Sequence, residues 1–138
     1  MYICSNIRHM KRIPFAFATN AILIITGLVM VFHLCVMVGI VPYNIVWGGR
    51  LTDRKEMLVF ELSSIIVNLV LALTVAMKAK KVRAKVPGKL VNAVLWAFVV
   101  LFALNSAGNL VAKATLETVI FTPLTILSCL LCARAAVE

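Results

Sequence analysis

NSAGNLVAKATLE, residues 105–117, is the one stretch in which polar side chains crowd between two long apolar runs. Read as a turn, it marks where the chain leaves the bilayer between its third and fourth spans. Read as continuous helix, it places Asn105, Asn109, Lys113 and Glu117, which recur every fourth residue, on one face. A polar row at the end of an apolar helix then lines a pocket.

The rest of the chain gives that stretch its setting. Of 138 residues, 63% are apolar and 14% charged, with a mean hydropathy of +1.06, far from soluble globular usage. A helix crosses the hydrocarbon core in about 20 apolar residues, so the chain has room for four spans and no separate soluble domain. The net charge of +9 does not indicate a nucleic-acid partner, because the basic residues sit in short segments between apolar runs. They read as orientation signals, and membrane lipids are the expected surroundings.

The first apolar run carries no charge between Arg12 and Arg50. It is too long for a cleaved signal and predicts a retained span over about 14–41, ended by Pro42. Before it, Met1 to Arg12 carries basic residues with Ile3, Ile7 and Met10, a pattern suited either to the membrane surface or to a frayed tail that obeys the positive-inside rule. Tyr43 and Trp47 suit the interfacial aromatic belt, and Gly48-Gly49 a turn. Asp53 followed by Glu56 reads as an N-cap with a reciprocating glutamate, which starts a second helix over about 53–77. Pro87-Gly88 turns the basic run from Lys78 to Lys89 into a third helix over about 89–111. A fourth follows over about 115–133, with a kink at Pro123.

Ten Lys and Arg fall in the N-terminal segment, the 78–89 loop and Arg134, against four at Arg50, Arg54, Lys55 and Lys113. This bias predicts an inner (plasma) membrane protein with both termini cytoplasmic. A shift of 61 residues pairs Asn44 with Asn105, Glu56 with Glu117, Phe60 with Phe121 and Ser64 with Thr125. Such a match predicts two helical-hairpin repeats related by an axis along the membrane normal. The fold class expected is all-α, an integral membrane four-helix bundle.

With that orientation, His33, Glu61, Asn105, Asn109 and Glu117 gather in the outer third of the spans. Glu61, Ser64, Asn68 and Val75 share a stripe on the second helix, and Thr118, Thr122, Thr125, Cys129 and Cys132 another on the fourth. Unpartnered polar groups in hydrocarbon cost several kcal/mol each, so these stripes should face one another around a vestibule. Glu61 is the expected anchor for a cationic or hydroxyl group, pairing with Arg50, Arg54 or Lys113 being the alternative. Asn68, Asn105 and Asn109 are the expected walls or interhelical glue, His33 a ligand or a satisfied interior histidine, and Lys113, Glu117 and Arg50 a gate or ion pair. Glu56 and Glu117 also fit first-turn positions, where a carboxylate favours the helix dipole.

Catalytic triads, phosphate loops and metal-ligand spacings are absent, so neither a cofactor nor a metal is expected. Cys129-Leu-Leu-Cys132 on a small four-helix membrane protein is similar to the vitamin K epoxide reductase family, and that resemblance implies a quinone-reducing thiol pair. The family's pair opens its last helix and is served by a second pair in the first outer loop. Here the pair closes the last helix, and the loop from Pro42 to Glu56 has no cysteine. Two small apolar helix residues are the simpler account. GNLVAKATLETVIFTPLT, residues 108–125, resembles small uncharacterised bacterial four-helix membrane proteins, which implies no activity. The expected function is therefore binding or passage of a small molecule or lipid through an outward-facing polar vestibule. The alternatives are an accessory subunit of a larger membrane complex, docking a membrane protein or a second copy, and a thiol-redox enzyme using Cys129 and Cys132.

Overall fold

In the computed structural model, which describes residues 12–111 and 117–138, four helices are long and apolar enough to cross a membrane. They are α1 (Phe15–Met37), α2 (Arg54–Lys78), α3 (Gly88–Leu110) and α4 (Thr122–Ala136), the last entered through a π turn at Glu117–Phe121. Two 3₁₀ turns, Tyr43–Ile45 and Trp47–Gly49, lie between α1 and α2. The protein is an all-α, multi-pass bundle. Each helix packs on its two neighbours in a ring, most closely within the α3/α4 pair and least closely between α2 and α3.

Local chemistry explains the helix ends. Helix α1 stops at Met37, four residues short of the end expected from Pro42. Gly39 (φ +84°) takes the left-handed conformation, while Gly39 N–H donates to Val36 O and Ile40 N–H to Cys35 O. That is a Schellman ending, and the glycine sets it before the proline is reached. Helix α2 starts as the sequence predicts, with Glu56 N–H donating to Asp53 Oδ1 at 2.7 Å. The return bond is displaced by one residue: Glu56 Oε2 accepts from the backbone N–H and the hydroxyl of Thr52, both at 2.9 Å.

Helix α2 ends in the same motif as α1, with Lys81 N–H donating to Ala76 O and Lys80 N–H to Met77 O. The left-handed residue here is Lys80 (φ +57°) rather than a glycine. Lys80→Gly is therefore expected to raise stability by about 1 kcal/mol, the usual cost of a side chain in that conformation. Reversible unfolding in mixed micelles checks this; an unchanged or lowered midpoint would contradict the motif.

Pro123 does not kink the middle of a span. It sits in the first turn of α4, directly after the π turn. The proline lacks a donor and its ring crowds the carbonyl four residues back, and a widened turn accommodates both.

The core lies in the half of the bundle nearer the termini. Ala18, Ile22, Leu71, Val75, Leu95, Leu131 and Cys132 meet there. Polar ties close that end. Lys78 Nζ donates to Asn92 Oδ1 (2.7 Å), Lys81 Nζ to Asn20 Oδ1 (2.8 Å), and Arg134 Nε to Ile13 O (2.8 Å). The basic segments therefore gather at one end. At the other end a second cluster of Val36, Val46, Leu51 and Met57 seats the α1–α2 connection.

Candidate functional site

Between the two clusters the bundle is hollow. A cavity of about 400 Å³ runs from mid-span towards the α1–α2 connection, a size usual for small-molecule sites. Its walls alternate aromatic and polar groups. Phe32, Phe60, Phe98, Phe102 and Phe121 supply the apolar surface. Thr26 and His33 face it from α1, Ser64 and Asn68 from α2, Asn105 and Asn109 from α3, and Thr125 and Ser128 from α4. The helical spacing of these residues brings them to the interior, since i, i+4 and i, i+7 positions share a face.

Some of these groups satisfy one another or the backbone. Asn68 Nδ2 donates to Ser64 O (2.9 Å), Ser128 Oγ to Leu124 O (2.8 Å), and Thr125 shares a hydrogen bond with Ser106 (2.8 Å). Others do not. The hydroxyls of Thr26 and Ser64 and the side-chain amides of Asn105 and Asn109 have no hydrogen-bond partner among the described residues. Thr26 is almost wholly buried. No buried side-chain nitrogen or oxygen among the described residues lacks a partner, so these free donors and acceptors are open to the hollow, where a polar guest or water can meet them.

Glu61 is placed differently from the expectation that it faces the hollow as an anchor. It is fully buried behind the wall, and both its oxygens are engaged. His33 Nδ1 lies 2.5 Å from Oε2, and Trp47 Nε1 donates to Oε1 at 2.8 Å. The partners are His33 and Trp47 rather than Arg50 or Arg54. With Nδ1 held by the carboxylate, the His33 ring is fixed in orientation and Nε2 is its free edge. His33 is a satisfied histidine that also stands in the cavity wall.

Trp47 reaches Glu61 at a conformational cost. Trp47, Gly48 and Gly49 have φ of +56°, +70° and +68°, three successive left-handed residues. Glycine tolerates this, whereas a tryptophan there is strained by about 1–2 kcal/mol. The bond to Glu61 and the tilted packing of its ring on Phe60, centroids 5.0 Å apart, offset the strain.

Of the expected gate, Lys113 and the side chain of Glu117 lie outside the described residues. Arg50 is exposed, does not line the cavity and makes no ion pair among the described residues. Cys129 and Cys132 are also off the cavity, as unpaired thiols, with Cys129 Sγ donating to Val99 O (3.4 Å). No group of three or more potential metal ligands comes together among the described residues.

Sequence reading missed the part played by Trp47, by Thr26 and by the five phenylalanines. A polar residue inside an apolar run was available as a signal for Thr26. Nothing in the sequence distinguishes a phenylalanine facing a cavity from one facing lipid. Compared with known proteins, the chain matches no family model, and neither a curated protein nor a solved structure matches it.

Proposed function

We propose that this multi-pass membrane protein binds or passes a small molecule or lipid through the cavity in the half of the bundle remote from the termini. The observation that carries this reading is a hollow lined by hydroxyls and amides, several of them free of hydrogen bonds among the described residues and open to the hollow, set among aromatic walls. His33, Asn68, Asn105 and Asn109 contact the guest, and Glu61 acts through His33 by holding its ring. Such a site requires neither a cofactor nor a metal.

The ten-to-four distribution of Lys and Arg supports a plasma-membrane orientation with both termini inside, which turns the cavity-bearing half outward. A cysteine introduced at Lys81 should then resist impermeant reagents applied to intact cells. Labelling from outside would reverse the orientation.

Native mass spectrometry of the detergent-purified protein tests the binding reading. A retained small molecule or lipid is expected, lost in Asn105→Ala and in the cavity-filling Ser64→Phe while both variants keep their thermal stability. Identical adducts in all three proteins, or none in any, would contradict it. Stable capture of one membrane partner, indifferent to both substitutions, would favour the accessory-subunit alternative.

A further inference from the structure

The direction in which the cavity opens identifies the kind of guest. Every exposed residue in its lining belongs to α2 or α3: Phe60, Ser63 and Val67 on one, Leu101 and Asn105 on the other. The lining residues of α1, α4 and the α1–α2 connection are buried or half-buried. These two helices are also the least closely packed neighbours in the ring. The opening is therefore a slot between α2 and α3. Val67 is the fourteenth residue of the 25 in α2 and Leu101 the fourteenth of the 23 in α3. Both lie near mid-span, so at about 1.5 Å per residue this part of the slot meets acyl chains rather than water.

The described wall carries no Lys, Arg, Asp or Glu. Among the described residues His33 is the only ionisable one in the lining, and it is paired with Glu61. The Glu61 carboxylate lies behind the wall and does not line the cavity itself. The remaining polar groups are amides and hydroxyls, which donate and accept but cannot neutralise an ion. A charged headgroup would lose its hydration here without gaining a counter-ion.

We infer that the cavity takes an uncharged amphiphile from the bilayer, its hydrogen-bonding head among Thr26, His33, Asn105 and Asn109 and its apolar chain leaving through the slot between α2 and α3. This rests on the reading of the cavity as a binding site and adds the ligand class and the route of entry.

Photo-crosslinking in reconstituted vesicles tests it. Three diazirine-bearing probes of equal chain length are compared: a monoacylglycerol, a fatty acid and an alkylammonium. The monoacylglycerol is expected to label the segments 60–68 and 98–109 most heavily, and Asn105→Leu to lower that yield roughly fivefold, the worth of about one hydrogen bond. Leu101→Trp, at an exposed slot position where folding is undisturbed, is expected to abolish it. Preferential labelling of the slot by either charged probe would overturn the uncharged class, and labelling untouched by Leu101→Trp would overturn lateral entry. In both cases the cavity remains a binding site. Occupation by a water-soluble molecule that excludes all three probes would have the same meaning. An empty cavity under every condition would remove this inference and the binding reading together.

Discussion

Glu61→Ala is expected to lower the stability of the folded bundle by about 3 kcal/mol, because it empties a fully buried site and strips partners from two half-buried donors at once. His33 Nδ1 and Trp47 Nε1 both end on this carboxylate, which has no exposure of its own. Trp47 would also lose the contact that holds it in a left-handed conformation, so the α1–α2 connection should loosen together with the helix pair. Glu61→Gln keeps one acceptor and should cost about 1 kcal/mol. Unfolding in mixed micelles gives the magnitudes. Tryptophan emission, in a Trp96→Phe background, reports whether Trp47 has moved. Equal stability for wild type and Glu61→Ala would mean that the three-residue cluster contributes nothing to the fold.

Leu95→Ala should have the next largest effect, about 2 kcal/mol. Leu95 is fully buried where Ala18, Ile22, Leu71, Phe98 and Leu131 meet. In a water-soluble core such a truncation costs about 2–5 kcal/mol, part of it the transfer of the side chain from water. A span that separates from the bundle within the bilayer transfers its leucine to lipid, which is equally apolar, so that part vanishes and the lost packing remains. Mixed-micelle unfolding of Leu95→Ala and of Leu104→Ala, on the same helix but two-thirds exposed, separates the contributions. Equal losses at both positions would contradict the interior assignment.

The different costs at these positions also show which features could be read from the sequence. Long apolar runs fix the number and nature of the spans, and Asp53 with Glu56 fixes the start of α2, because length and capping are local properties. The end of α1 departs from the expectation at Pro42 because Gly39 makes the stop three residues earlier. The polar residues at 33, 61, 68, 105 and 109 were recognisable as candidates from the expense of burying them in lipid. Their division of labour was not. Whether Glu61 faces the hollow or backs onto His33, 28 residues away, depends on the rotation of α2 against α1. An apolar core and an apolar lipid face impose the same residue types, so hydrophobic periodicity carries little of that information. The slot depends on α2 and α3 packing less closely than the other neighbours, a property of four helices together.

Thiol reactivity tests most directly whether the polar side chains share one hollow. Cysteines are placed singly, and in pairs, at Ser64, Asn68, Asn105 and Asn109 in a background lacking the four native cysteines, with Leu69 as the lipid-facing reference. The four cavity positions should react with a small methanethiosulfonate, and a bulky adduct at one of a pair should protect the other, while the Leu69 position stays inert. Reactivity as low as at Leu69, or adducts that leave their neighbours fully reactive, would show that these side chains do not converge on a common space.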